Sequence, residues 1–206
     1  MANSYCKTYY NNNNGGGAST ESSTDIDVNT GDIKTWGTSS CEYKGDWNFK
    51  GTDGPTCSKK WDEEFKRAGK ALGIDWVLVA AISSIESSWK EDAKNPTSSA
   101  GGLYQFIAKY WHGDAPKGYE DAKYRFDGKI ATDAFINRMK KHMAKFQNAV
   151  SRNDQILLCF QSWHDGVISG TSWKNFKGNK YSGTSESRNY VPKIMKRYKE
   201  LGGTIS

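Results

Sequence analysis

No stretch of about eighteen apolar residues occurs in this chain, so the sequence offers no membrane-spanning helix. The opening residues Met1-Ala2-Asn3-Ser4-Tyr5-Cys6 lack the basic and apolar regions of a secretory signal, so the expectation is export by another route or a signal already removed. Cysteine is sparse and badly spaced for metal: Cys6, Cys41, Cys57 and Cys159 form no CxxC or Cys/His ligand pattern, which argues against a zinc site. Cys41 and Cys57 could close a small loop, and sequence alone does not fix the distance between them. Cys159 falls in the apolar run Ile156-Leu157-Leu158-Cys159-Phe160, where a buried, inert thiol is expected. Alternating strand patterns are weak, internal repeats are absent, and no basic stripe with interleaved aromatics marks a nucleic-acid surface.

What is present describes a polar-surfaced protein with an aromatic-rich core: 36% hydrophobic residues, 13% aromatic, and a mean hydropathy of -0.79. The 206 residues suffice for one well-buried domain and an appendage. A net charge of +6 favours a polyanionic partner, which could be nucleic acid, an anionic membrane surface or a bacterial wall, and charge alone does not choose.

Residues 1–57 are rich in Asn, Gly, Ser and Thr, including Asn11-Asn12-Asn13-Asn14-Gly15-Gly16-Gly17, and read as a linker or irregular appendage. Residues 58–206 read as a mainly α-helical domain. Ser58 is the expected N-cap of a first helix with acidic Asp62, Glu63 and Glu64 ahead of a Trp61, Phe65, Ala68, Leu72 stripe, ended by Gly73. A second helix opens at Asp75 and is apolar nearly all round, which makes it central. Residues 101–111 suggest a glycine-rich turn into a short helix, and 113–128 a polar loop. A long helix follows with Ile136, Met139, Met143, Phe146 and Val150 on one stripe, then a helix over about 154–164. The last is expected over about 188–201, because Pro192 is tolerated only in a first turn.

Near the end of the second helix, Glu86 shares a face with Val79, Ile82 and Ser83, so its carboxyl group would emerge from an apolar surface. Such a site raises a carboxyl pKa and suits it to proton transfer near neutral pH. The plain alternative is a helix-end glutamate in water. A sugar ring needs aromatic walls for its C–H faces and amide or hydroxyl partners for its rim, and Trp163, Tyr190, Tyr104 and Gln105 supply that mixture.

The run Ala81-Ile82-Ser83-Ser84-Ile85-Glu86-Ser87-Ser88-Trp89, followed by Ser99-Ala100-Gly101-Gly102-Leu103-Tyr104-Gln105-Phe106, resembles the soluble lytic transglycosylase family, which has the lysozyme-like fold. Two later segments fit the same family in the same order: Phe160-Gln161-Ser162-Trp163-His164-Asp165-Gly166 is similar to its Ala-Ala-Tyr-Asn-Ala-Gly motif, and Glu186-Ser187-Arg188-Asn189-Tyr190-Val191 to its Glu-Thr-Arg-x-Tyr-Val segment. The resemblance implies Glu86 as catalytic acid, with Ser99, Gly102, Tyr104 through its backbone, Gln105, Trp163, His164, Glu186 and Tyr190 contacting substrate. It calls for no metal and no cofactor. His164-Asp165 departs from the family's Asn-Ala, although histidine can still donate a hydrogen bond.

The resemblance further implies peptidoglycan glycan strands as substrate, cut between N-acetylmuramic acid and N-acetylglucosamine. Hydrolysis of such a bond requires two carboxyl groups, whereas a lytic transglycosylase manages with one and leaves a 1,6-anhydromuramic end. Glu91, Asp92, Asp165 and Glu186 are the other carboxylates in reach of the motifs, Glu91 and Asp92 reading as solvated charge. A muramidase using one of these, and a wall-binding module without turnover, are the competing readings. DNA binding would rest on charge alone, and no nucleic-acid partner is expected. The setting expected is extracytoplasmic or virion-associated, as a phage tail lysin or as part of a secretion or conjugation assembly.

Overall fold

The structure is a computed structural model that describes residues 60–147, 152–166 and 184–203. The proposed appendage, Ser58, the Cys41–Cys57 pair and Val150 all lie outside the described residues.

Six α-helices carry the described fold, as the sequence indicated. Helix α1 is Asp62–Leu72, α2 Trp76–Ser87, α3 Ala108–Trp111, α4 Gly128–Phe146, α5 Arg152–Asp165 and α6 Ser185–Glu200. A two-stranded antiparallel sheet, β1 Ala100–Gly101 and β2 Phe106–Ile107, pairs Ala100 with Ile107 and Gly101 with Phe106.

Helix α1 has its acidic residues in the first turn and Lys70 in the last, both favourable against the helix dipole. Its N-cap is Trp61, which supplies no side-chain cap, so the serine cap expected at Ser58 gives way to a start inside the aromatic stripe. The Trp61 indole N–H donates to the Trp89 carbonyl at 3.0 Å, so packing fixes this helix start. Gly73 terminates α1 at φ 63°, where glycine carries no Cβ penalty.

Helix α2 begins at Asp75, whose carboxylate accepts from the Val77 N–H at 2.9 Å and from the Tyr198 hydroxyl at 2.6 Å. Val77, Leu78, Val79 and Ile82 are wholly buried, each contributing about 1.5–3 kcal/mol as an upper bound. Helix α2 packs on α1 and α6, α6 on α5, α5 on α4 and α4 on α1, a closed circuit of contacts. An apolar all-round helix needs partners on more than one side, and this circuit provides them.

Helix α4 starts at Asp127, which accepts from the Lys129 and Ile130 N–H groups. Ile136, Met139, Met143 and Phe146 are buried along it, while Lys140, Lys141 and Lys145 face out. The segment read as polar loop contains a 3-10 helix, Ala122–Phe126, opened by the Asp121 carboxylate accepting from the Lys123 N–H. Its five residues are too few to show periodicity. Helix α6 starts at Ser185, three residues before the expected position, with Thr184 Oγ1 accepting from the Ser187 N–H at 3.1 Å. Pro192 therefore stands inside the helix and not in its first turn. Tyr190, Val191, Ile194, Arg197 and Tyr198 are all buried around it, and this packing outweighs one lost backbone hydrogen bond. Cys159 is fully buried, as its apolar run led one to expect.

Candidate active site

Glu86 lies in the last turn of α2, just before the chain leaves the helix through Ser88 and Trp89 in left-handed conformation. Ser83 Oγ and Ser87 Oγ each donate to the Leu103 carbonyl, at 3.1 and 2.8 Å. Those two hydroxyls, one helical turn apart, dock the 102–105 turn on the end of α2 and bring Gln105 to the glutamate.

The turn itself depends on Gly102. At φ 83° its hypothetical Cβ would stand 1.9 Å from the Arg125 carbonyl oxygen, so only glycine fits. Its N–H donates to the Ala93 carbonyl at 2.8 Å, and its carbonyl accepts from the Gln105 N–H at 3.1 Å. Gln105 has φ 52°, and its side-chain amide donates to the Gly102 and Ala93 carbonyls at 3.0 and 3.3 Å. Its amide oxygen remains as the acceptor offered by that side chain.

Helices α5 and α6 build the opposite wall. Tyr190 donates its hydroxyl to Glu86 Oε1, and its ring lies 4.6 Å from that of His164. His164 Nδ1 is 2.5 Å from Asp165 Oδ1, and Asp165 Oδ2 accepts from Gln161 Nε2 and Ser187 Oγ, each at 2.6 Å. Trp163 packs edge-on against Phe106 at 5.0 Å and tilted against Phe135 at 5.0 Å, with the Arg138 guanidinium 4.8 Å over it. Arg138 is anchored in turn by Asp114 at 2.7 Å.

These walls enclose a pocket of about 400 Å³, lined among others by Glu86, Gln105, Trp163, His164, Glu186 and Tyr190. Burial pushes the Glu86 carboxyl up to about 7, with Glu186 adding to the rise while the Tyr190 hydrogen bond and His164 oppose it. Tyr190, buried beside that carboxylate, is held well above the usual phenol range and so remains a donor. A carboxyl group that is part neutral, part ionised near pH ~7 can both give and take a proton without a metal's help.

A family model described as a transglycosylase SLT domain matches residues 63–185, more than half of the chain. The chain belongs to the transglycosylase SLT family. No curated protein matches it. The SLT family comprises lysozyme-like, peptidoglycan-cleaving lytic transglycosylases in general, so the glycan strands of the bacterial wall are the substrate class.

Within this SLT fold, six residues singled out from the sequence meet in one pocket, and three stand apart from its lining. Ser99 is exposed just ahead of β1. Gly102 is buried in the turn, with both backbone groups engaged. Tyr104 is fully buried, stacked on Phe135 at 4.5 Å with its hydroxyl 3.2 Å from Thr132 Oγ1. Its side chain is part of the core that supports the turn. Sequence reasoning overlooked Arg138, Asn95, Lys193, Ile85 and Ile107, which also line the pocket. Lys193 was within reach, lying one helical turn beyond Tyr190. Arg138 had no local signal, since its place depends on α4 packing beside α5. Glu91, read as solvated, is tied to Lys60 and to the Gly128 N–H at the start of α4. Among the described residues no cluster suited to a metal ion occurs, and no helix is long and apolar enough to cross a membrane.

Proposed function

We propose that the chain cleaves the bond between N-acetylmuramic acid and N-acetylglucosamine with Glu86 as its one proton-donating carboxyl group, leaving 1,6-anhydromuramic ends. The observation that carries this reading is the Glu86 carboxyl, raised to about 7 in a pocket shared with Gln105 and Tyr190. Protonated Glu86 gives its proton to the glycosidic oxygen, and the acetamido group of the muramic sugar shields the developing charge at C1. The sugar's own 6-hydroxyl then closes on C1 and gives up its proton to a base in the pocket.

Hydrolysis would require a second carboxylate held across the bond. Glu91 is committed to Lys60 and α4, Asp165 to His164, Gln161 and Ser187, and Asp92 is exposed. Glu186 lines the pocket, yet its side chain is 78% exposed and so weakly positioned. It is the one feature favouring a muramidase. Aromatic edges of Trp163 and Tyr190, the Gln105 amide and the Arg138 guanidinium provide the mixed apolar and polar contacts a glycan demands. The catalytic domain is taken as residues 58–206, acting outside the cytoplasm or from a virion, secretion or conjugation assembly.

Digestion of purified peptidoglycan in ¹⁸O-labelled water, followed by mass spectrometry, tests the mechanism. Anhydro ends free of label are expected, and labelled reducing ends would overturn the transglycosylase reading. A Glu86→Gln variant should lose muropeptide release by roughly 10²–10⁴-fold while still binding wall, and full activity would sink both enzymatic readings.

A further inference from the structure

We propose that His164, oriented by Asp165, is the base that removes the proton from the attacking hydroxyl, so that acid and base duties fall on two side chains. This rests on the glycan-cleaving reading above and relieves Glu86 of its second task. A carboxylate can only accept, so the 2.5 Å contact with Asp165 Oδ1 places the imidazole proton on Nδ1. In the neutral ring Nε2 then carries a lone pair. Among the described residues, Glu186 Oε1 stands 3.8 Å from Nε2, beyond hydrogen-bond reach. Glu86, by contrast, already has one oxygen occupied by the Tyr190 hydroxyl.

Asp165 is not a casual neighbour. It receives hydrogen bonds from Gln161 Nε2 and Ser187 Oγ, both from buried residues, and is thereby held at a fixed angle to the ring. Gln161 Nε2 also donates to the Ser187 carbonyl at 2.9 Å, locking α5 to α6 behind the dyad. His164 and Glu86 line the same pocket, and the two groups are close enough for the imidazole charge to act on the Glu86 carboxyl.

The step balances. The C1–O4 bond breaks with its electron pair leaving on O4, which takes the Glu86 proton; the new O–C1 bond forms from the attacking hydroxyl, whose proton passes to His164 Nε2. Imidazolium beside Asp165 and carboxylate at Glu86 are the end state, and transfer of that proton from ring to carboxylate restores the resting enzyme. The attacking hydroxyl is the 6-hydroxyl of the muramic sugar on the reading above.

The groups facing His164 are Asp165 on its own helix, Glu186, Tyr190 and Lys193 from α6, Glu86 from α2 and Arg138 from α4. The test is a pH–rate profile of muropeptide release for the full chain and its His164→Gln variant, with kcat and KM resolved. The acid must be protonated, so the limb that falls as pH rises belongs to Glu86. His164→Gln is expected to lower kcat roughly 100-fold or more at little change in KM while leaving the falling limb in place. Asp165→Asn, a positioning change, is expected to lower kcat with KM kept. A folded His164→Gln enzyme, verified by an unchanged far-UV spectrum, that keeps the kcat overturns the proposal. Label from ¹⁸O water in the wild-type product would refute the transglycosylase reading alone, because the His164→Gln profile still decides whether the dyad deprotonates the attacking oxygen.

Discussion

Replacing Glu86 by Gln should stabilise the fold, and by an amount that grows with pH. The fold holds this carboxyl up to about 7 against an ordinary value of 4.5, chiefly by burial, and such a rise corresponds to about 3 kcal/mol of preference for the neutral form. In acid both folded and unfolded chains carry the proton, and ionisation costs nothing. As pH climbs past 4.5 the unfolded chain loses its proton first, so native stability drops until the folded group also ionises near 7, above which the full cost persists. Glutamine has nearly the same shape, can still accept from the Tyr190 hydroxyl, and does not titrate. Urea unfolding of both proteins at about pH 4 and about pH 8.5 isolates this one group, since other titrations and any constant strain cancel in the difference. The variant's advantage is expected to be about 2–3 kcal/mol larger at the higher pH. A difference that stays constant between the two conditions would refute the buried-acid argument on which the catalytic assignment stands. Activity of the native enzyme should correspondingly decline as pH rises through about 7.

Tyr190→Phe removes the hydrogen bond that opposes the rise in the Glu86 pKa, so the falling limb of the pH–rate profile should move to higher pH. Gly102→Ala forces a Cβ to 1.9 Å from the Arg125 carbonyl at φ 83°, and a loss of at least about 2 kcal/mol is expected from strain and clash, read by thermal melting. Tyr198→Phe strands the buried Asp75 carboxylate without its 2.6 Å donor; chemical denaturation near pH ~7 should show a loss of about 1–3 kcal/mol. That loss should shrink on acidification, because Asp75, already raised by burial, is raised further without the hydroxyl and takes up a proton.

The helices could be read from the chain because their signals are local: the Asp75 cap, the Gly73 stop and the 3.6-residue stripe of α4 each involve neighbours in sequence. Glu86 was legible for the same reason, an acid set into an apolar helix and followed by a glycine turn bearing Gln105. Where long-range packing decided, sequence was silent or misleading. Pro192 looked like a helix start, but burial of Tyr190, Val191 and Ile194 holds the helix on both sides of it. Tyr104 looked like a ligand ring, yet Phe135 and Thr132, from a helix far along the chain, claim it for the core.

The sequence by itself determined which side chain has the chemistry for proton transfer and which residues form the helix that presents it. Only the tertiary structure decided what surrounds that acid: Tyr190 arrives from α6, more than a hundred positions away, His164 from α5 with Asp165 already fastened by Ser187, and Arg138 from α4. A pKa and a hydrogen-bond partner depend on atoms within a few ångströms in space, and those atoms are supplied by whichever helices pack there, not by adjacent letters of the chain.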